Sequence, residues 1–255
     1  MADPSLPDLT GTVTLVTGAG GTLGQGIALR FAAAGGAVAV HYNRSRERAE
    51  ALVERIEAAG GRAVGLAADL TDDRACHRLV EDAAAWSGRL DAVVNNAGIQ
   101  PVADLATMTA DAWRTMLDTN LTSAFSCTQA AARVMRDGGS VTHIASIEAA
   151  RPAFGHVHYA AAKAALVMHA RGAALEYGPL GIRVNSVSPG LVDRPGLVAD
   201  WPDGVDRWHR AAPLRRLGDP ADVGNACVFL ASPLASWITG HDLTVDGGVS
   251  AHPSW

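Results

Sequence analysis

Tyr159 and Lys163 stand four residues apart in an alanine-rich stretch, and Lys163 is the only lysine among 21 basic residues. Side chains four residues apart meet on one face of a helix. Acid–base catalysis near neutral pH needs a tyrosine pKa about 3 units below its usual ~10. A cation ~4 Å away supplies about 4 kcal/mol at an effective dielectric near 20, which is enough. We predict that Lys163 lowers the pKa of Tyr159; the alternative is a partly buried core tyrosine.

Ser146 precedes Tyr159 by 13 residues and ends a predicted strand over residues 140–146. Open α/β sheets bind their ligands at the carboxyl ends of the strands. The Ser146 hydroxyl is therefore predicted to hold a substrate oxygen. The alternative is a simple cap at the end of the strand.

Glycines cluster where the first predicted strand, residues 12–17, meets the first predicted helix. Gly18, Gly20 and Gly24 would let the backbone approach a pyrophosphate, and the N-terminal end of a helix favours such an anion. An ordinary tight turn is the alternative. In this position between strand and helix, the glycines predict a dinucleotide-binding turn.

The segment after the second predicted strand bears on which dinucleotide binds. An NAD site has an acidic residue there, about 20 residues beyond the turn, to hold the ribose hydroxyls. The sequence instead places arginines at a helix N-terminus, where cations are unfavourable unless an anion lies nearby. A 2′-phosphate is such an anion, so we predict NADP over NAD; solvated arginines are the alternative. The segment reads His41-Tyr42-Asn43-Arg44-Ser45-Arg46-Glu47-Arg48.

Apolar runs predict seven strands that alternate with helices. Such alternation requires crossover connections and hence a parallel sheet covered on both faces. The predicted fold class is α/β, a doubly wound Rossmann fold that residues 1–255 form as a single domain. Residues 196–213 interrupt the alternation and are predicted to be a mobile excursion over the substrate. The other predicted strands cover residues 37–42, 63–68, 90–95, 140–146, 182–187 and 242–245, and the main helices 46–58, 72–86, 110–136, 158–177 and 221–230.

The composition argues against several classes of protein. With 48% hydrophobic and 18% charged residues, the chain is neither disordered nor fibrous. A formal charge of −5 without a basic block argues against nucleic-acid partners. Residues 9–29 lack charge but are too polar for a membrane span. The acidic, proline-containing residues 1–9 and three separated cysteines predict a cytoplasmic protein. The cysteines are Cys76, Cys127 and Cys227.

Taken together, these motifs resemble the short-chain dehydrogenase/reductase family in its single-domain form, including members of the 3-oxoacyl-carrier-protein reductase type. The resemblance covers nearly the whole chain, and the combination of motifs is highly specific. The matching segments are Thr17-Gly18, Asp69-Leu70, Asn95-Asn96-Ala97-Gly98, Asn120, Ser146, Tyr159 with Lys163, Pro189-Gly190 and Val245-Asp246-Gly247-Gly248.

The resemblance implies a role for each catalytic candidate. Tyr159 would exchange a proton with the alcohol or carbonyl oxygen, Ser146 would orient that oxygen, and Lys163 would bind the nicotinamide ribose. Asn120 would hold a water molecule that links the lysine to solvent; by itself it could equally be a solvated helix residue. The implied dinucleotide contacts are Gly18, Gly20, Thr22, Leu23, Gly24, Asn43, Arg44, Ser45, Asp69, Leu70, Asn96, Ala97, Gly98, Tyr159, Lys163, Pro189, Gly190 and Val192.

The resemblance leaves open the roles of Asp69, Thr22 and Arg194. Asp69 could contact adenine or cap the helix that begins near residue 72. Thr22 replaces a usual family glycine, so its φ should be negative, with Gly20, Gly24 and Gly26 sharing the permissive roles. Arg194 replaces a threonine that often contacts the nicotinamide amide or a phosphate. It could bind a phosphate oxygen or the substrate instead.

The resemblance implies reversible hydride transfer between a nicotinamide and a ketone or secondary alcohol, in a homotetramer. The alternative is a non-catalytic dinucleotide-binding or regulatory module on the same fold. No metal is expected, because His156 and His158 lack a third ligand. The partner is predicted to be a small-molecule carbonyl compound or alcohol. Its candidate contacts flank the catalytic residues or lie in the excursion, and they are Glu148, His156, Leu191, Trp201 and Trp208.

Overall fold

The computed structural model describes Asp3 and residues 5–251. Seven parallel strands form one sheet in the order β3-β2-β1-β4-β5-β6-β7. The predicted fold class, a doubly wound Rossmann fold, is therefore confirmed. The strands are β1 Val13–Val16, β2 Ala37–Tyr42, β3 Ala63–Ala67, β4 Ala92–Asn95, β5 Gly139–Ile144, β6 Ile182–Pro189 and β7 Asp242–Val245.

Helices cover both faces of the sheet, because the strands carry apolar side chains on both sides. In β2, for example, Val38 and Val40 face the core under one helix layer, whereas Ala37 and Ala39 face the other. The first layer contains α1 Thr22–Ala33, α2 Arg46–Ala58 and α9 Pro220–Ala231; the second contains α3 Asp73–Ser87, α5 Ser123–Val134 and α6 Val157–Tyr177. Among the described residues, no helix has both the length and the apolar character to cross a bilayer.

Three segments differ from the sequence prediction in their details. The helix predicted over residues 110–136 is α4 Ala110–Leu117 and α5, joined by a π-helical turn at Asp118–Thr122. The strand predicted to reach Ser146 ends at Ile144, and Ser146 caps a 3₁₀ turn at Ile147–Ala149. The excursion contains two short helices, α7 Leu197–Asp200 and α8 Pro202–Ala211. In the first two segments local hydrogen bonding interrupts or ends a regular element that the apolar pattern continues.

The strand order reverses between β1 and β4, the two central neighbours. Connections leave these strands on opposite sides, so a crevice opens at their carboxyl ends. The Thr17 hydroxyl closes the base of this crevice. It accepts the backbone N–H groups of Asn96 and Ala97 at 2.9 and 3.0 Å. The loop after β4 is thereby held against the turn after β1.

His41 joins two further loops at the same edge of the sheet. Its side chain, only 2% exposed, lies between the turn after β1 and the loop after β3. Nδ1 accepts the N–H of Gly18 at 3.0 Å, so Nε2 carries the hydrogen and donates to the carbonyl of Ala68 at 3.1 Å. Burial lowers the pKa of His41 to about 4, against weaker raising effects from Ala68 and Asp69. The ring is therefore neutral at physiological pH.

The neutral state of His41 makes part of the stability depend on pH. Because the folded-state pKa lies below the unfolded value of about 6.5, the full contribution is present above pH 6.5 and is lost as the pH falls towards 4. In His41→Gln an amide oxygen and an NH₂ group can replace both hydrogen bonds without titrating. From pH 7 to pH 4, wild type should lose about 3 kcal/mol of unfolding free energy relative to this variant.

Urea unfolding of wild type and His41→Gln across this pH range measures the difference. Burial also lowers the pKa of His143 to about 3. The resulting pH dependence of stability is the same in both proteins and cancels in the comparison. His77→Gln, at a histidine outside these loops, should follow the wild-type curve. Parallel pH curves for wild type and His41→Gln would show that His41 is not held neutral by its surroundings.

Candidate functional site

Ser146 and Tyr159 meet at the carboxyl end of β5. Ser146 Oγ accepts the backbone N–H of Glu148 at 3.1 Å, which fixes the side chain at the start of the 3₁₀ turn. Tyr159 lies in the first turn of α6, and the Ser146 hydroxyl lies near enough to lower the pKa of the phenol, against the larger opposing effect of burial. Two hydroxyl groups thus face the same point at the mouth of the crevice, as the spacing predicted.

Lys163 lies one helical turn beyond Tyr159 and is almost completely buried, with 4% exposed. Its Nζ donates to the carbonyl of Ile144 at 2.7 Å and lies 5.4 Å from the centre of the Tyr159 ring. Burial lowers the pKa of Lys163 to about 8. The structure therefore brings together the phenol and the amine that the sequence paired.

The predicted direction of the Tyr159 pKa shift is wrong for this structure. Burial raises the pKa of Tyr159 to about 12; the hydrogen bond with Ser146 lowers it, and the charge of Glu148 raises it further. Burial dominates because the Lys163 amine is bound to the Ile144 carbonyl and lies beside the ring. The prediction counted the attraction of the cation and omitted the loss of solvent around the phenol.

Asn120 lies in the π-helical turn and is 1% exposed, so it is not a solvated helix residue. Its Nδ2 donates to the carbonyl of Ile99 at 3.1 Å, and its Oδ1 accepts the N–H of Ile99 at 3.2 Å. Gly98 lies between Asn120 and Lys163, where an added Cβ would collide with Asn120 Oδ1. A π-helical turn of this kind often marks a functional site. The predicted role of Asn120 in holding a water stays a prediction.

The turn after β1 differs from the prediction in the role of its glycines. Thr22 begins α1 and has no positive φ, as expected, but the left-handed residue of this turn is Gly18, with a φ of +64°. Gly20 and Gly24 instead provide space. An added Cβ would collide with Ser45 Oγ at Gly20 and with the Gly18 carbonyl at Gly24. The expectation of permissive φ at Gly20, Gly24 and Gly26 was therefore wrong.

The N-terminus of α1 fits a diphosphate. The first N–H groups of a helix have no partner within the helix, and here Gly21 precedes α1 without a capping side chain. The first turn also contains no acidic residue. The N–H groups of Thr22, Leu23 and Gly24 could therefore bind an anion, and the helix dipole favours a negative charge at this end. These residues could hold the diphosphate of a dinucleotide.

Asn96 and Ala97 lie against this turn from the neighbouring strand. The Asn96 side chain donates to the carbonyls of Thr17 and Gly18 at 2.9 and 3.2 Å. Because both hydrogen bonds of the Asn96 amide group go to backbone carbonyls of the turn, the side chain stabilises the shape of the turn in this structure. Gly98 follows at the level of Lys163. The loop thus spans the distance from the diphosphate position to the reacting pair.

Asp69 binds its own loop and does not cap α3. Its Oδ1 accepts the N–H and hydroxyl of Thr71 at 3.0 and 2.8 Å, and these bonds lower the pKa of Asp69, with a smaller contribution from Arg44. The cap of α3 is Asp72, whose side chain accepts the N–H of Arg74. The helix-cap alternative for Asp69 is therefore wrong. Leu70 is buried beneath this loop.

The arginines after β2 are not equivalent. Arg46 Nε donates to Glu50 at 2.8 Å. Arg44 is exposed, forms no ion pair within the described part of the chain, and acts on Asp69 across the loop. Asn43 is exposed beside it, and Ser45 packs against Gly20. Arg48 is also exposed and forms no ion pair within the described residues, so the effect on Asp69 is what makes Arg44 the candidate for binding an added phosphate.

Trp208 and Trp201, both predicted to touch the substrate, lie in different surroundings. The Trp208 ring packs on Gly190, where an added Cβ would collide with it, and its Nε1 donates to the carbonyl of Arg216 at 3.3 Å. Gly190, Leu191, Val192 and Trp208 line a cavity of about 600 Å³. Trp201 is about half exposed and stacks with Arg207 at 5.6 Å, so the structure does not bring it to this cavity.

Arg194 is bound to the excursion in this structure. Its Nη1 donates to Asp200 Oδ2 at 2.7 Å, and Asp200 ends α7. The predicted contacts of Arg194 with a phosphate oxygen or with the substrate stay predictions. Among residues 5–251 and Asp3, no three His, Cys, Asp or Glu side chains are grouped to hold a metal ion.

The sequence analysis missed three residues that shape the site. These are Thr17, His41 and Gln100, and Gln100 donates to Glu148 beside the reacting pair. A polar residue inside an apolar strand was the available signal for His41. Thr17 was named only as part of the Thr17-Gly18 segment, without a role of its own, and Gln100 had no signal because its partner is 48 residues away.

Comparison with known proteins gives consistent sequence matches. Residues 18–250 match the family model described as enoyl-(acyl carrier protein) reductase. The 3-oxoacyl-[acyl-carrier-protein] reductase FabG of Staphylococcus epidermidis is 35% identical over 239 residues, which cover 92% of this chain and 97% of that protein.

Solved structures agree over nearly the full chain. A short-chain dehydrogenase/reductase from Serratia marcescens has a TM-score of 0.90 at 37% identity, covering 95% of this chain and 99% of that one. A 7α-hydroxysteroid dehydrogenase complexed with NADH and 7-oxo glycochenodeoxycholic acid has a TM-score of 0.91 at 33% identity, covering 97% and 98%. A blue fluorescent protein from a metagenomic library, complexed with NADPH, has a TM-score of 0.89 at 36% identity, covering 95% and 99%. With the site geometry, these matches show that the chain belongs to the short-chain dehydrogenase/reductase family.

Proposed function

We propose that this protein reduces a ketone to a secondary alcohol, reversibly, with Tyr159 as acid and base and NADP as the preferred dinucleotide. The observation that carries the proposal is the meeting of Ser146, Tyr159 and Lys163 beside an anion-binding turn. Family membership and the reductase relative support the reaction class. The alternative of a non-catalytic module would leave this arrangement without a use.

The chain's own residues supply the proton and the orientation. When bound, the nicotinamide donates or accepts the hydride. In the reducing direction Tyr159 gives its proton to the carbonyl oxygen, and Ser146 donates a hydrogen bond to the same oxygen. The Lys163 ammonium, 5.4 Å from the centre of the Tyr159 ring, offsets part of the cost of burying the phenolate that remains. A pKa of about 12 keeps Tyr159 protonated at neutral pH, which is the form that reduction requires.

Removing the Tyr159 hydroxyl tests the mechanism. Tyr159→Phe should lower kcat/KM by about 10³-fold, because the proton donor is lost while the binding surfaces remain. Oxidation of NADPH is followed with a panel of ketones, hydroxy ketones and 3-oxoacyl thioesters, and binding of NADPH is measured by fluorescence. Tyr177→Phe, at the far end of the same helix, is the matched control and should keep full activity. Undiminished turnover by Tyr159→Phe would reject Tyr159 as the acid.

The preference for NADP rests on Arg44. The position is one where an NAD site has an acid, and an exposed guanidinium matches a phosphate group in charge and geometry. Neighbours differ in what they bind, since one was solved with NADPH and another with NADH. The residues of this chain therefore carry the argument, with Asn43 and Ser45 beside Arg44 and with Asp69 facing the adenine side.

Arg44→Ala should reduce kcat/KM for NADPH by about tenfold or more and leave that for NADH nearly unchanged, because one charge-assisted contact is lost. Arg46→Ala is the matched control, since Arg46 is engaged with Glu50. Initial rates with both dinucleotides and one common ketone give the ratio. A wild-type preference for NADH would contradict the proposal, as would equal losses in the two variants.

We also propose that the chain acts as one domain in which residues 196–213 cover the substrate. The packing of Trp208 on Gly190 supports this, since it ties α8 to the turn after β6. Leu191 and Val192 would face the nicotinamide end, together with Pro189 and Gly190. The proposed substrate is a small carbonyl compound, and the buried free thiols of the three cysteines fit a reducing, cytoplasmic compartment.

A homotetramer is the proposed assembly. Phe125 on α5 and Met168 and Leu175 on α6 are exposed apolar side chains on adjacent helices, and apolar surface of this kind favours contact with another copy. Sedimentation should give about four times the chain mass of 26.3 kDa. Met168→Glu should reduce the mass, whereas Val198→Glu, an equally drastic change on α7, should not. A monomeric wild type would rule out the tetramer.

A further inference from the structure

Two polar side chains from separate loops converge on the Glu148 carboxylate beside the reacting pair. Gln100 Nε2 donates to Glu148 Oε1 at 2.9 Å. His156 Nδ1 lies 3.0 Å from Oε2 and 3.2 Å from Oε1. Gln100 follows β4, Glu148 follows β5 and His156 precedes α6. The carboxylate is therefore held in one place, which an isolated surface glutamate is not.

Glu148 is connected to the two catalytic residues through its backbone N–H and through its partner His156. The N–H of Glu148 donates to Ser146 Oγ at 3.1 Å, and the His156 ring stands edge-on to the Tyr159 ring, with 6.1 Å between centres. The charge of Glu148 also raises the pKa of Tyr159, so the carboxylate lies near the position that a substrate oxygen on Ser146 and Tyr159 would occupy.

Glu148 keeps the capacity to accept a further hydrogen bond. The side chains of Glu148 and His156 are 15% and 17% exposed, so both remain open to the crevice. A carboxylate accepts about four hydrogen bonds, and Gln100 and His156 account for only part of this number. An ionised carboxylate donates none, so it binds a group with a hydrogen to give and disfavours an anion.

The neighbouring charges favour a neutral donor over an ammonium group. Lys163 Nζ lies 5.4 Å from the centre of the Tyr159 ring, so a second cation in this space would be repelled. The carboxylate is also already in contact with His156 Nδ1. A hydroxyl group meets both conditions, because it donates a hydrogen bond and carries no charge.

We propose that Glu148, held by Gln100 and His156, binds a hydroxyl group on the carbon next to the reacting carbon. The substrates would then be α-hydroxy ketones and, in reverse, vicinal diols. This inference rests on the proposed function. In the reduction, the nicotinamide is oxidised as its hydride adds to the carbonyl carbon, Tyr159 gives its proton to the carbonyl oxygen, and the substrate hydroxyl is unchanged.

The test compares ketones that differ only in this hydroxyl. With wild type and NADPH, kcat/KM should be about tenfold or more higher for hydroxyacetone than for acetone, and for 3-hydroxybutan-2-one than for butan-2-one. Glu148→Ala should bring both ratios close to 1, and Glu148→Gln, which keeps an amide oxygen as a weaker acceptor, should give intermediate ratios. Glu176→Gln, an exposed glutamate on the same helix as Tyr159, is the control and should keep the wild-type ratios.

Each contrary outcome has its own meaning. Equal kcat/KM for the paired ketones in wild type would overturn the inference while leaving the reductase function intact. An equal loss of kcat/KM for both ketones of a pair in Glu148→Ala would also overturn the inference, because it would show a general effect on Tyr159. Faster reduction of 1-aminopropan-2-one than of hydroxyacetone would also overturn the inference, because it would show that Glu148 binds an ammonium group and not a hydroxyl group. Failure of wild type to reduce any ketone with NADPH or NADH would instead reject the proposed function. If Glu148→Ala does not fold, the ratios of Glu148→Gln decide.

Discussion

The buried ammonium of Lys163, bound to the Ile144 carbonyl, is the interaction on which the rest of the site depends. Removing a cation from water costs several kcal/mol unless partners replace the solvent. Here β5 ends at Ile144 and α6 packs on its last residues, so the carbonyl lies where the amine arrives. Tyr159 lies one helical turn before Lys163 in α6, at the mouth of the crevice. A residue that could not reach the carbonyl would leave both the strand end and the phenol differently placed.

The loops around this centre are held by uncharged side chains that each bind more than one backbone group. Thr17 accepts two N–H groups from the loop after β4, and Asn96 donates to two carbonyls of the turn after β1. His41 connects that turn to the loop after β3. Because Thr17 and His41 are neutral and buried and Asn96 is partly buried, their hydrogen bonds are little screened by solvent. The crevice therefore has fixed walls near the diphosphate position.

The substrate side is built differently, from polar, partly exposed residues that come from separate loops. Glu148, His156 and Gln100 form a polar rim next to Ser146, while Trp208 and Leu191 line a different cavity beside the turn after β6. Such loops vary within a family more readily than the strands that support them. The shared frame of this family thus explains hydride and proton transfer, whereas the rim is what distinguishes one substrate from another.

Sequence alone determined the fold class and the catalytic pair, because both depend on local periodicity. Predicted strands that alternate with helices require a parallel sheet. A spacing of four residues in a helix brings Tyr159 and Lys163 to one face. It also located the turn after β1 that is proposed to hold the dinucleotide, since glycines between a strand and a helix allow a ligand to approach the backbone closely.

Tertiary structure decided whatever depends on contacts between distant segments. The π-helical turn that buries Asn120, the partners of Asp69 and Arg194, and the convergence of Gln100 on Glu148 have no local signal. The pKa of Tyr159 belongs to the same group. It results from how much solvent the folded chain removes from the phenol, and the spacing between Tyr159 and Lys163 contains no information on that burial.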